Sequence, residues 1–144
     1  MFNRRSLLVG GLAMAAAPSL VNLAQAQASK PMLVFLGNGV DAAHKFWQSR
    51  SEPEFLKSDA FKKLDYRVVF AKTGELMLKE ESWPADARWV LAEFLTTKEG
   101  KDLWSDQPYF ILAQDKKIVL VVRGNGNWTD KMLPKITELT GGKA

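Results

Sequence analysis

The stretch MLVFLGNGVDAAHKFW, from Met32 to Trp47, predicts the opening unit of the fold. Its first five residues form an unbroken apolar run of strand length, which is typical of a central strand covered on both faces. The Gly37-Asn38-Gly39 turn follows, and Asp41 then stands where a helix N-cap or first-turn acid belongs. We therefore expect a strand, a turn and a helix that continues to about Ser49.

The rest of the chain predicts three more strands and several helices. A helix over about 54–64 leads to a strand at Tyr66–Ala71, so a helical crossover implies parallel pairing with the first strand. Helices are expected over 84–95 and again after Thr96 or Thr97, either of which offers an N-cap. The segment 75–80 fits either an edge strand or irregular structure.

Two adjacent apolar runs near the C-terminus predict a hairpin. Pro108–Ala113 and Lys117–Val122 are separated by only three residues, which permits only antiparallel pairing. A turn at 124–126 and a last helix capped by Thr129 complete the pattern. Leu133, Ile136 and Leu139 are expected to face the core.

Composition limits the classes of function. The 144 residues carry 47% apolar side chains, and the length suits a single core. The absence of cysteine excludes disulfides, thiol catalysis and thiolate metal ligation within this chain. The formal charge is +4, but basic and acidic residues alternate along the sequence without a like-charged run, so we expect no nucleic-acid partner.

The first 28 residues have the three parts of an export signal: a charged start, an apolar middle and small residues at the end. Asn3-Arg4-Arg5-Ser6-Leu7-Leu8 resembles the twin-arginine signal of bacterial proteins that cross the inner membrane already folded. We expect cleavage after Ala26 or Ala28, a periplasmic location, and no stable membrane insertion once the signal is removed. The expected domains are 1–28, an export signal, and 29–144, one folded domain.

The order β, α, β, α, then a β-hairpin and a closing helix, resembles the thioredoxin fold. This resemblance implies an α/β fold: a three-layer α/β/α sandwich around a central mixed four-stranded sheet. In that family a CxxC redox pair opens the first helix. Here the matching tetrad is Val40-Asp41-Ala42-Ala43, so thiol-disulfide exchange is absent. The family's second marker is a cis-proline before the third core strand, and Pro108 is the matching residue.

The resemblance implies a peptide-binding groove that has lost its redox reaction. We predict that the chain is a non-catalytic, exported protein that binds another exported protein or peptide segment, as an assembly factor, chaperone or accessory subunit. We expect no cofactor and no metal. The predicted partner-binding residues are Val40, Asp41, His44, Trp47, Gln107, Pro108 and Tyr109. Either the segment 76–78 or the loop 123–128 could cover this groove.

Two alternatives stay open from the sequence. His44, the only histidine, lies three residues after Asp41, so the pair could perform acid–base chemistry in a small periplasmic enzyme. The chain could instead be a structural subunit of a periplasmic complex. Among the tryptophans, we expect Trp89 and Trp104 to be at least partly buried and Trp47, Trp83 and Trp128 to be more exposed, available to a partner.

Overall fold

The computed structural model describes residues 28–103 and 106–143, which form an open, mixed four-stranded sheet with helices. The strands are β1 (Met32–Gly37), β2 (Asp65–Phe70), β3 (Tyr109–Gln114) and β4 (Lys117–Arg123). The helices are α1 (Ala42–Phe46), α2 (Glu52–Phe55), α3 (Asp59–Lys62), α4 (Gly74–Met77), α5 (Arg88–Phe94), α6 (Lys98–Lys101), α7 (Asn125–Asn127) and α8 (Leu133–Thr140). The order of strands is β2-β1-β3-β4. The predicted α/β class and mixed sheet are confirmed, whereas the predicted signal lies outside the described residues.

β1 is the central strand that its unbroken apolarity predicts. All six of its residues are buried, and it pairs in parallel with β2 on one side and antiparallel with β3 on the other. At its carboxyl end Gly37 lies opposite Phe70 of β2, and Leu36 lies opposite Tyr109 of β3. The end of β1 and the beginning of β3 therefore meet at one edge of the sheet.

The crossover between β1 and β2 differs from the prediction in its boundaries. Helical structure does not stop near Ser49, because a wider π-type turn at Trp47–Ser51 joins α1 to α2. Pro53 is tolerated since it occupies the first turn of α2. The helix predicted over 54–64 is reduced to the end of α2 and the single-turn α3, which Ser58 caps through its side chain.

The segment between β2 and β3 is helical. The ambiguous residues 75–80 contain α4, and Thr73 caps that helix by accepting a hydrogen bond from the Leu76 N–H. The predicted helix over 84–95 begins as a 3₁₀ turn at Ala85–Ala87 and continues as α5. Of the two candidate caps for α6, Thr97 is the one used.

The hairpin between β3 and β4 turns through only two residues. Asp115 and Lys116 both adopt positive φ, 51° and 62°, which the tight turn requires because it must match the twist of the strands. One register shift between Leu112 and Ala113 of β3 leaves Val119 of β4 as an extra, bulged residue. The strand pairing is regular from Leu120 to Arg123.

The last helical segment starts earlier than predicted. Gly124 has φ 81° and ends β4, and helical structure begins at Asn125, continues through a π-type turn at Trp128–Met132 and ends in α8. Thr129 therefore lies inside the helical run, and its predicted role as N-cap is wrong. Ile136 is buried as expected, while Leu133 and Leu139 are partly buried against the core.

Apolar clusters cover both faces of the sheet. The first cluster joins Val34 and Leu36 of β1 to residues of α5, including Val90 and Phe94. The second cluster joins Leu33 and Phe35 of β1 to helical side chains from both ends of the chain; these are Trp47, Phe55, Trp128, Met132 and Ile136. Alternation along β1 sends successive side chains to opposite clusters.

The tryptophans correct the expectation from sequence. Trp47, Trp83 and Trp128 are 0%, 2% and 3% exposed, so three side chains predicted to be available to a partner are core residues. The Trp83 indole N–H donates to the Met77 carbonyl at 2.7 Å, which satisfies its polar atom. Trp89 is partly buried as expected, and the Lys116 ammonium lies 4.8 Å from the centre of its ring. Trp104 is outside the described residues.

Candidate functional site

The seven predicted partner-binding residues lie at the edge where β1 ends and β3 begins, but most are not at the surface. Val40 and Asp41 are exposed and Gln107 is partly buried. The other four are buried; they are His44, Trp47, Pro108 and Tyr109. These four side chains have almost no exposed surface in this conformation.

The predicted cis-proline is wrong. The Gln107–Pro108 peptide bond is trans, and no cis peptide bond occurs in the described part of the chain. The Pro108 carbonyl accepts a hydrogen bond from the Gly124 N–H at 2.8 Å, so the hairpin pairing extends to this residue. The backbone at Pro108 is therefore engaged within the chain, which removes the argument that a peptide pairs there.

Trp47 and Tyr109 also lie on opposite faces of the sheet. Tyr109 belongs to the first cluster and packs edge-on against Phe94, with ring centroids 5.9 Å apart. Trp47 belongs to the second cluster, where its ring lies 4.3 Å from that of Trp128. The sequence analysis placed these residues in one groove. Trp47 instead packs against Phe110, whose side chain points to the face of β3 opposite that of Tyr109.

Asn38, which the sequence analysis did not single out, organises the turn after β1. Its side-chain oxygen accepts hydrogen bonds from the Val40 and Asp41 N–H groups, at 3.0 and 3.1 Å. Its amide nitrogen donates to the Asp41 carboxylate at 2.6 Å. An asparagine two residues before the point where a backbone turns is the signal that could have identified it.

His44 is fully buried behind this turn. Its Nδ1 accepts a hydrogen bond from the Asn38 backbone N–H at 3.0 Å, and its ring meets Phe35 edge-on at 6.3 Å. An acceptor Nδ1 carries no proton, so the imidazole is not oriented by a carboxylate at that nitrogen. This hydrogen bond joins α1 to the turn that follows β1.

Gly37 makes this close approach possible. A Cβ atom at this position would lie 2.5 Å from His44 Nδ1 and 2.8 Å from the Phe35 ring. Only glycine leaves room for the imidazole against the strand. Gly37 and Asn38 together position His44: the glycine leaves room for the ring, and the Asn38 N–H donates a hydrogen bond to it.

The acid–base alternative is not favoured by this geometry. Asp41 is exposed and its carboxylate accepts from Asn38, while the backbone of Asn38 holds His44. Asp41 and His44 therefore each bond to a different group of Asn38. General acid–base catalysis needs a group that reaches substrate, and His44 has no exposed surface.

The loop after β4 contacts the edge where β1 ends and β3 begins. The Asn125 side-chain amide donates to the Ala43 carbonyl of α1 at 2.9 Å. A Cβ atom on Gly124 would lie 3.3 Å from Gln107 Oε1, so Gln107 lies against the same loop. The turn from β4 therefore joins α1 to the start of β3.

A cleft of about 490 Å³ lies beside β4. Leu120–Arg123, the regularly paired part of the strand, lines it together with Tyr109. Lys98, Glu99 and Asp102 contribute from the α6 segment. Asn127 and Lys131 contribute from the helical segment that follows β4.

β4 is an edge strand, and alternate backbone groups of an edge strand point away from the sheet. The bond from the Gly124 N–H to the Pro108 carbonyl sets the alternation, because it directs the backbone groups of Leu120 and Val122 toward β3. Those of Val121 and Arg123 then face outward. The Asn127 side chain agrees, since its amide donates to the Arg123 carbonyl at 2.8 Å.

The charges around the cleft are mixed, with three cations and two carboxylates. Within residues 28–103 and 106–143, Lys98, Arg123 and Lys131 form no ion pair. The same residues contain no cluster of three acidic or histidine side chains that could hold a metal ion. They also contain no helix long and apolar enough to cross a membrane.

Comparison with known proteins adds no assignment: no family model, no curated protein and no solved structure matches this chain.

Proposed function

We propose that the folded domain is a non-catalytic, protein-binding module of the thioredoxin-like three-layer type, acting in the periplasm after export by a twin-arginine signal. The parallel β1–β2 pair, the β3–β4 hairpin antiparallel to β1 and the two covered faces of the sheet support the fold assignment. The trans bond before Pro108 is a departure from that family's pattern. The absence of cysteine supports a role without thiol exchange.

The observation that carries the binding role is the cleft against the open edge of β4. A sheet edge with free backbone groups is a ready template for another chain, and many protein modules bind partners by this means. β1 and β3 lack this property because each is paired with a neighbouring strand on both sides. We therefore keep the predicted class of function but assign the binding surface to β4 rather than to α1.

Photo-crosslinking from single positions in the full chain tests the proposal. A photoreactive residue is introduced at Asn127, in the cleft, and as a matched control at Lys63, an exposed residue outside it. Exported, C-terminally tagged protein is irradiated in cells and the adducts are identified by mass spectrometry. We expect one protein species to be linked from position 127 and not from position 63. Absence of an adduct from 127, or the same adducts from both positions, would contradict the binding role.

A further inference from the structure

We propose that the cleft beside β4 takes an extended acidic segment of the partner protein, which adds to the sheet as a fifth strand along Leu120–Arg123. This inference rests on the proposed function, because it states which partner chemistry the module recognises. It also fixes the register, since the cleft coincides with the part of β4 that follows the bulge at Val119.

The backbone supplies the first argument. Val121 directs its N–H and its carbonyl into the cleft, and Arg123 directs its N–H there, by the alternation that the Gly124–Pro108 hydrogen bond sets. The Arg123 carbonyl already accepts a hydrogen bond from the Asn127 side-chain amide. The free edge therefore offers one donor–acceptor pair and one further donor, enough for a short strand between the bulge and the end of β4.

The charges supply the second argument. A residue paired with Arg123 would project its side chain on the same face as Arg123, whereas a residue paired with Val122 would project on the opposite face. Val122 belongs to the second cluster, the one that the segment bearing Lys131 covers. Because Arg123 and Lys131 have no ion pair within the described residues, carboxylates at these two positions of a bound strand would find cations on both faces.

A second copy of this chain fits the edge less well. Antiparallel pairing of two β4 strands about Leu120 would place Lys117 of each copy opposite Arg123 of the other. Like charges directly opposite one another destabilise a strand pair. Exposed cations at both ends of the strand thus disfavour self-association in this register and favour an acidic partner.

The experiment uses the purified full chain and synthetic peptides of about eight residues, the length of an ordinary strand. One peptide, Val-Glu, carries two adjacent Glu residues between Val residues, so that a bound strand projects one carboxylate on each face. The second, Val-Lys, carries Lys in place of both Glu, and the third is the Val-Glu peptide with one Val replaced by proline, which cannot extend a sheet. Binding is followed by fluorescence anisotropy, and backbone amide signals by NMR. We expect the Val-Glu peptide alone to bind, with slower hydrogen exchange at the amides of Val121 and Arg123.

Three variants locate the interaction. Lys131→Glu should weaken the binding of the Val-Glu peptide about tenfold, because it replaces attraction with repulsion. The control is Lys45→Glu, the same change at an exposed residue of α1, which should leave the affinity unchanged. Val121→Pro removes an outward N–H without breaking a bond to β3, so it should abolish binding in a folded protein. Arg123→Glu supplies the same test of charge if the proline variant is unfolded.

Each of several outcomes would overturn the inference. These are equal binding of the Val-Lys peptide, an unchanged affinity in both Lys131→Glu and Arg123→Glu, and concentration-dependent dimerisation of the wild-type chain that protects Val121. If the crosslinked partner from position 127 is still captured by Lys131→Glu and Arg123→Glu, the proposed function stands and the acidic-strand inference fails. If no partner is captured at all, the proposed function itself fails.

Discussion

Gly37 leaves no room for a side chain, because a Cβ atom at this position would collide with His44 and Phe35. We predict that Gly37→Ala destabilises the protein by about 1–3 kcal/mol, because the added methyl group forces the imidazole away from the Asn38 N–H. Urea denaturation measures the change in the free energy of unfolding. Gly126→Ala is the control: no atom lies within 4 Å of its built Cβ, and it should leave stability unchanged or slightly raised. Equal effects of the two substitutions would contradict the packing argument.

Tyr66 provides a test by pH. Burial, and then the hydrogen bond that its hydroxyl donates to Glu52 at 2.6 Å, raise the pKa of this phenol. A raised pKa in the folded state means that the neutral phenol stabilises the fold below the unfolded value of about 10 and that this contribution is lost as pH rises beyond it. We predict that the free energy of unfolding falls above about pH 10 more steeply in the wild type than in Tyr66→Phe.

The same substitution should cost about 1–2 kcal/mol at neutral pH, because it removes a hydrogen bond to a carboxylate and keeps the ring against Phe55 and Phe61. Urea denaturation across the pH range measures both effects. Parallel pH profiles for the two proteins would show that Tyr66 does not titrate abnormally.

Sequence reasoning predicted that the seven residues lie near the end of β1 and the start of β3, but it did not predict their contacts. The spacing of Asp41 and His44 predicts that they could meet on one turn of helix, yet spacing describes only the distance along a helix. Which atoms meet depends on the Asn38 backbone, whose N–H points at the imidazole only because the chain turns there. The close approach at Gly37 arises from packing between α1 and β1, which no local pattern records.

At the scale of elements, α6 offers a matched pair of threonines. The Thr97 hydroxyl accepts from the Gly100 N–H at 3.1 Å, whereas the Thr96 hydroxyl is exposed and donates to the Glu93 carbonyl. We predict that Thr97→Ala costs about 1 kcal/mol as a lost N-cap and that Thr96→Ala costs less than half as much. Thermal unfolding of both variants measures the difference. A larger effect at Thr96 would contradict the assignment of Thr97 as the N-cap of α6.

The strands could be predicted more closely than the helices. Each strand is a run of apolar or β-branched residues, and all four were placed within about one residue, which is better than such boundaries usually allow. Helix ends depend on competing caps and on insertions into the helical ladder. The π-type turn at Trp47–Ser51 and the early start at Asn125 have no strong local signal, so Ser49 and Thr129 were wrong as boundaries.

At the scale of the whole molecule, the tryptophans show where local reasoning stops. Trp47 and Trp128 are far apart in sequence, and each alone looks like a candidate contact residue. The fold brings their rings together against Phe110 and Phe55, in one aromatic group under α1 and the last helical segment. Burial of this kind depends on tertiary packing, because the rings that cover one another come from segments far apart in sequence.

Exchanging tryptophans tests this arrangement directly. Trp47→Phe should lower the free energy of unfolding by about 1–3 kcal/mol, because the smaller ring leaves a cavity beside Trp128 and loses the indole hydrogen bond to the Tyr66 hydroxyl. Trp89→Phe should cost less than about 1 kcal/mol, since that ring is only partly buried and its contact with Lys116 survives in weakened form. Denaturation curves compare stabilities, and acrylamide quenching of each single variant reports which indole was accessible. If Trp89→Phe proved the more damaging, Trp47 would not be the more tightly packed of the two side chains and the packing argument would be wrong.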